Sequence, residues 1–370
     1  RDLYDFMKFF TVSVGDFLDE FFESDLIKAH KAGSAVVGTN LGPRSPGTAY
    51  VLLHHYMGDV DGAVGAWGFP RGGMGSVSGA LAGALQEHGG EIRINAGVDK
   101  IMVKRGKVTG VRLENGEEIS ADRVVSNVDA KKTFLGLMEP EDAGEKVVKA
   151  AKRYKSRGSS GKLNIALNGV PEFTALPKGS ELIKGDFHIV DNMESYERGY
   201  DEWKDGMWST NPYLDILIPT LTDPTMAPPG KHFMTCFVQY CPAKVKGQDW
   251  NADLLKKFGD NVINSIAKYS PNFKDLIEHV EIRSGQVIDN EIGLTEGNIF
   301  QGELSLNQLM FNRPFHGCAQ YRGPVNGLYL SGSTTHPGGG VMGAPGANSA
   351  REILMDMKIS TTVPEDEGDD

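Results

Sequence analysis

Between Asp2 and Phe22 the apolar residues Phe6, Phe9, Phe10, Val14, Phe17, Leu18 and Phe21 recur at helical spacing. That spacing predicts one or two amphipathic helices broken near Gly15. Their aromatic stripe reads as a core-facing surface. The Gly- and Pro-rich loop 42–47 precedes the apolar run from Tyr50 to His54, which periodicity leaves open as strand or buried helix. From Ser76 to His88, Val77, Leu81, Ala84 and Leu85 share one helical face, and Gly89-Gly90 ends it.

Short β-prone runs follow at Glu91 to Ile94, Val98 to Val103, Val108 to Leu113 and Glu117 to Ile119, separated by Arg105-Gly106 and Asn115-Gly116. Asn-Gly is a strong two-residue hairpin signal because both turn positions need positive φ, so a small antiparallel sheet is predicted. Arg123 to Val128 reads as a buried strand. From about Ala130 to Gly317 the texture shifts to Pro-punctuated loops with helices such as Asp253 to Tyr269, an α+β region with room for a substrate cavity. The last unit is a strand, Leu328 to Leu330, a Gly-rich turn, and a helix from about Gly343 to Met357.

The 370 residues suffice for two domains. A net charge of -11 with scattered Lys and Arg argues against a nucleic-acid groove, which needs clustered cations. Cys236, Cys241 and Cys318 are odd in number and lack paired metal spacing, which suits free thiols in a reducing compartment. No apolar run approaches the roughly 20 residues that span a bilayer, while peripheral membrane contact stays open. The chain starts at Arg1 without an initiator Met or targeting segment, so an upstream piece is expected; the acidic end from Glu365 to Asp370 reads as a solvated tail.

The turn after Leu330 contains a literal G-x-G-x-x-G at Gly338, Gly340 and Gly343. A Rossmann phosphate loop would need a second parallel strand and an acidic residue about 20 positions on, and here one helix ends the unit. Another use fits the same physics. Glycines let backbone approach a flat ligand, and N–H groups at a helix start stabilise negative charge, as a reduced flavin develops. A tight strand-to-helix turn with no ligand fits equally well.

Taken together, Gly72-Gly73-Met74-Gly75 with its helix, the strands around Val98, the run Ala121 to Asn127 and the turn from Gly327 to Val341 resemble the phytoene desaturase and carotenoid isomerase branch of the amine-oxidase-like flavoproteins. Within it the likeness is nearest to the pyridine nucleotide-disulfide oxidoreductase domain-containing proteins of mitochondria and their bacterial relatives. Runs similar to theirs stand at Tyr50 to His55, Gly297 to Phe300 and Gln308 to Pro314.

The resemblance implies an α/β fold with an α+β substrate region. It is a Rossmann-like FAD/NAD(P)-binding domain of amine-oxidase type, incomplete here, with an inserted substrate domain. The expected division is 1–71 for the first part of the substrate domain, 72–130 for the returning part of the FAD domain, 131–317 for substrate binding, 318–360 for the terminal strand–turn–helix, and 361–370 as tail. FAD is the implied cofactor. Val98 matches the residue whose backbone meets the adenine, Gly332 and Ser333 lie where the turn passes the pyrophosphate and ribityl chain, and Gly339, Gly340, Val341 and Met342 match the stretch beside the ring. Gly73, Met74 and Asn127 complete the implied cofactor set. Ser333 replaces an acidic residue frequent in wider relatives. The family's opening strand, G-x-G-x-x-G loop and ribose-binding acid have no counterpart here, so this chain is expected to be a piece that holds FAD weakly or not at all.

For such a flavoenzyme the cofactor carries the redox step and the protein orients it, so no separate acid–base set is required. The implied activity is dehydrogenation or double-bond isomerisation of an apolar small molecule, with a non-catalytic interaction protein that keeps the fold as the alternative. An amine oxidase would need an aromatic pair facing the flavin, and the sequence locates none. Trp67, Phe69, Met74, Met310 and Phe311 are candidate cavity walls, although each reads more simply as core. His336, inside the turn, is the histidine assigned to flavin or substrate contact. His54 and His55 have no third residue at metal-ligand spacing, and no metal is expected. A homo-oligomer stays open, and the implied location is bacterial cytoplasm or mitochondrial matrix.

Overall fold

The computed structural model describes residues 2–359. Arg1 and the predicted acidic tail lie outside the described residues. The chain opens with four helices, α1 (Asp2–Thr11), α2 (Val14–Asp19), α3 (Asp25–Val36) and α4 (Thr48–Tyr56). A two-residue ladder, β1 (Asp59–Val60) with β2 (Ala63–Val64), and helix α5 (Gly75–Glu87) follow. Next come β3 (Val98–Lys104), β4 (Lys107–Leu113), β5 (Glu118–Ser120) and β6 (Val124–Ser126), then α6 (Pro140–Ala143) and α7 (Glu145–Arg153). The middle of the chain supplies β7 (Ser160–Leu167), β8 (Phe187–Ile189), α8 (Met193–Lys204), β9 (Tyr213–Leu217), β10 (His232–Gln239), α9 (Ala252–Ala267), α10 (Phe273–Leu276), β11 (Ile277–Arg283) and α11 (Gly285–Ile292). Strand β12 (Leu328–Leu330) and helix α12 (Ala344–Asp356) complete it.

These elements form two compact units, each of two chain segments: residues 1–94 with 156–299, and residues 95–155 with 300–370. The expected boundaries stood at 71/72, 130/131 and 317/318. Residues 131–155 fall in the second unit because Phe134, Met138, Ala151 and Tyr154 pack into one core with Ile101, Val108, Leu328 and Leu330.

In the first unit a five-stranded antiparallel sheet, ordered β11-β7-β10-β9-β8, carries the main core. One face packs on α9, which presents Phe258, Val262 and Ile266 at i, i+4 and i+8 against Leu163, Ile165, Ile216 and Val238. Burying each such side chain contributes about 1.5–3 kcal/mol. Asn251 starts α9 by accepting a 3.0 Å hydrogen bond from the Leu254 N–H. A second cluster joins α2 and α3 to α8 through Val14, Leu18, Ala32, Val36, Tyr196 and Trp203.

The break in the first helical stretch falls at Val12–Ser13, because Ser13 caps α2 by accepting from the Asp16 N–H at 3.0 Å. Tyr50–His54 is helix, not strand. Helix α5 forms where the apolar face predicted it, yet none of its residues is buried. Glu91–Ile94 forms no strand.

In the second unit β3, β4 and β5 form an antiparallel sheet, and β6 pairs in parallel with β12. The turn with two positive φ values is Arg105-Gly106, at 51° and 74°, which joins Lys104 to Lys107. At Asn115-Gly116 only Gly116 has positive φ; the Asn115 side chain accepts instead from the Glu117 N–H at 2.9 Å. The expected buried strand at Arg123–Val128 shrinks to β6, with Ser126 buried and Val125 exposed.

Candidate functional site

The parallel pair β6 and β12 ends at Asn127 and Ser331, where the Ser331 N–H donates to the Ser126 carbonyl at 2.9 Å. The carboxyl ends of parallel strands are where α/β sheets present ligand sites, since the loops leaving them carry free backbone groups. From this edge the turn 331–343 runs into α12. Gly332 sits at φ 75°, and a Cβ there would lie 2.2 Å from Asn127 Oδ1, so only glycine lets the two segments touch. The Gln301 side chain bridges them, donating to the Asn127 carbonyl at 3.1 Å and accepting from the Thr334 N–H at 3.1 Å.

Arg313 lies beneath the turn, fully buried. Its guanidinium donates to the carbonyl oxygens of Ser333, Phe300, Gly302, Glu303 and Gln308. Arg is the side chain for such a place, because its planar fork presents five N–H donors and keeps its charge. Gly339 rests on Phe300, whose Cδ1 is 2.2 Å from where a Cβ would be. The turn is thus fixed from below by Arg313 and Phe300.

Its upper surface is open. Gly340, Val341, Met342 and Gly343 are exposed, Val341 at 72%. Helix α12 begins at Gly343 in the left-handed region, with no side-chain cap and no acidic residue in its first turn. Apolar side chains thus stand beside a bare helix start, which carries partial positive charge. A flat ring with one electron-rich edge complements both features, so the residues present fit a flavin.

His336 is half-buried in the same turn, and its Nδ1 has no hydrogen-bond partner among the described residues. Burial, and then the Arg313 charge, push its pKa below the usual imidazole range, so it is neutral near pH 7. Its carbonyl accepts from the Tyr321 hydroxyl at 2.8 Å, and that hydroxyl accepts from Asn348 Nδ2 on α12 at 2.9 Å. A pocket of about 610 Å³ opens beside His336, lined by Met310, Phe311, Tyr321, Arg322, Glu352 and Met355. Arg322 closes one side, paired with Asp356 through two 2.9 Å bonds and with Glu352.

Of the residues assigned from sequence, the second unit brings Asn127, Gly332, Ser333, His336 and Gly339–Met342 into this one strand edge and turn. Val98 begins β3 in the same unit, paired with Leu113. Gly73 and Met74 belong to the first unit, where Gly73 approaches Met226 and Met74 precedes α5. The plain core reading of Trp67, Phe69, Met74 and Phe311 is overturned: all four are exposed, Phe311 at 78%. His54 is buried, and His55 Nδ1 bonds the Val51 carbonyl at 3.0 Å, a structural contact. Sequence reasoning gave Arg313 no role, although its place before Pro314 within the run Gln308–Pro314 was the signal at hand.

Among the described residues no helix is long and apolar enough to cross a membrane. The family model described as flavin containing amine oxidoreductase matches residues 1–200. The chain is 38% identical over 356 residues to pyridine nucleotide-disulfide oxidoreductase domain-containing protein 2 of Rattus norvegicus, covering 94% of this chain and 61% of that protein. It is 28% identical to phytoene desaturase (lycopene-forming) of Pseudescherichia vulneris, over 93% of this chain and 66% of the other. The chain thus spans about three-fifths to two-thirds of these relatives. Among solved structures, an oxidoreductase from Methanosarcina mazei superposes with a TM-score of 0.56 at 16% identity, covering 93% of this chain and 68% of that one. Putrescine oxidase does so at 0.54 and 13%, covering 95% and 69%. At those identities the likeness is one of fold.

Proposed function

Because the chain belongs to the flavin containing amine oxidoreductase family, we propose that it supplies the flavin-facing turn of an FAD-dependent oxidoreductase that dehydrogenates or isomerises an apolar substrate. The observation that carries this reading is the open face of residues 340–343 beside the uncapped start of α12. Gly332 and Ser333 would follow the pyrophosphate and ribityl chain, with Asn127 and Val98 toward the adenosine half. Gly339, Gly340, Val341 and Met342 would lie along the ring. Bound FAD supplies the acceptor for a hydride from an unactivated C–H bond.

This chain's own residues would orient the ring. The start of α12 stabilises negative charge at the ring edge. His336, neutral and with Nδ1 unpartnered, offers one hydrogen bond to flavin or substrate without adding charge. Met310, Phe311 and Met355 give the adjoining pocket an apolar wall suited to a hydrocarbon. The substrate class is proposed from these walls and from relatives described as phytoene desaturase and prolycopene isomerase. Residues 95–155 and 300–359, which form one unit, would serve the flavin. Three unpaired, buried cysteines suit a reducing compartment, bacterial cytoplasm or mitochondrial matrix.

The test is a fluorescence-quench titration of FAD into the protein purified intact from its source and into its Val341→Asp variant. Val341 is exposed, so the fold is kept, while the new carboxylate takes the charge-binding role of the helix start. FAD binding at least about tenfold weaker in the variant is expected. Equal binding, or no binding by either protein, overturns the reading.

A further inference from the structure

The first unit carries a cluster that flavin chemistry does not use. Asp186 precedes β8, His188 lies within it, and Asp215 is the Cα partner of His188 on β9. One ligand atom from each falls within 4.8 Å of the others. His188 Nε2 faces both carboxylates, at 3.3 Å from Asp186 Oδ2 and 3.9 Å from Asp215 Oδ2. Among the described residues no Lys or Arg forms an ion pair with either aspartate. Two carboxylates this close repel unless a proton or a cation lies between them.

We propose that Asp186, His188 and Asp215 form a divalent transition-metal site, with His30 as the positioning residue behind His188. The donor set is one imidazole nitrogen and two carboxylates, which suits a cation such as Zn2+, and the two negative charges cancel its charge. Ligand atoms bound at about 2.0–2.2 Å stand roughly 3–3.5 Å apart around a tetrahedral ion, so the cluster closes onto a metal with small side-chain shifts. Three protein ligands leave one position for water.

Two further observations point the same way. His188 Nδ1 lies 2.9 Å from His30 Nδ1 on α3, with the rings 4.6 Å apart. A metal-bound His characteristically donates its other ring N–H to an acceptor, which fixes its tautomer. With Nε2 on the metal, His188 donates from Nδ1 to the facing His30 Nδ1. Beside the cluster, on the same face of β9 as Asp215, stands Tyr213. Its ring is 5.1 Å from His188, and its hydroxyl is buried without a partner.

The site is independent of FAD, and its test needs none. Zn2+ is titrated by calorimetry into intact, chelator-treated protein and into Asp215→Asn and His188→Gln variants whose circular dichroism is unchanged. Co2+ is added separately as a visible-absorbance probe of coordination. One equivalent of zinc is expected, with affinity at least about tenfold weaker in both variants, and a cobalt spectrum that His30→Gln alters. Zinc binding that is absent, or unchanged in whichever variant folds, overturns the proposal.

Discussion

Arg313 Nη2 donates a 2.6 Å hydrogen bond to the carbonyl oxygen of Ser333, and Nε of the same side chain donates to that oxygen at 3.0 Å. One buried guanidinium therefore fixes the loop 300–308 and the turn 331–343 together. Removing it leaves several buried carbonyls without donors, each at a cost of about 1–3 kcal/mol.

Arg313→Met is accordingly expected to lower the stability of the second unit by at least about 3 kcal/mol. Arg313→Lys should recover little, since an ammonium offers three donors and no fork. Urea unfolding followed by hydrogen exchange at the turn checks this; a loss below about 1 kcal/mol would remove Arg313 from its organising role.

Gly332 and Asn127 form a second joint. Gly332→Ala places a methyl against Asn127 Oδ1 and strains a backbone at φ 75°, at about 1–3 kcal/mol. Adding Asn127→Ala should return the steric part and leave the strain, so a double-mutant cycle gives a non-zero coupling. Strict additivity would contradict the contact.

His55 supplies a pH dependence. Burial, and then the neighbouring His54, lower its pKa to about 4. Unfolded, it takes up a proton near 6.5, so between about 6.5 and 4 the unfolded state binds more protons and stability falls as pH falls. The loss approaches about 3 kcal/mol at the acid end. His55→Asn should flatten that slope in melts at pH 7, 6, 5 and 4; an unchanged slope would assign it to other groups.

The thiols should be inert in the folded protein. Burial pushes Cys236 and Cys241 far above the ordinary range and Cys318 up to about 12. A disulfide reagent at pH 8 is expected to titrate none of the three before denaturant is added, and all three after it. Rapid labelling of the native protein would contradict their burial.

The legible parts of the sequence were those set by local chemistry. Leu328–Leu330, the helix at Ala252–Ala267 and the strands around Arg105-Gly106 announce themselves through periodicity and turn residues. The order β11-β7-β10-β9-β8 does not, because its pairings join residues as distant as Lys162 and Arg283. Tyr50–His54 is apolar all along, which hides its period. The turn 331–343 was visible as glycines, whereas Arg313 has no periodicity to mark it. His188 and Asp215 become neighbours only through strand pairing.

The most direct test of the central claim is the visible absorbance spectrum of the protein purified intact from its source, before and after incubation with FAD. Flavin bands that co-elute with the protein, and that bleach when an apolar substrate is added without oxygen, are the predicted result. A colourless protein that retains no FAD after reconstitution would contradict the flavoenzyme reading and favour an interaction protein that keeps the fold.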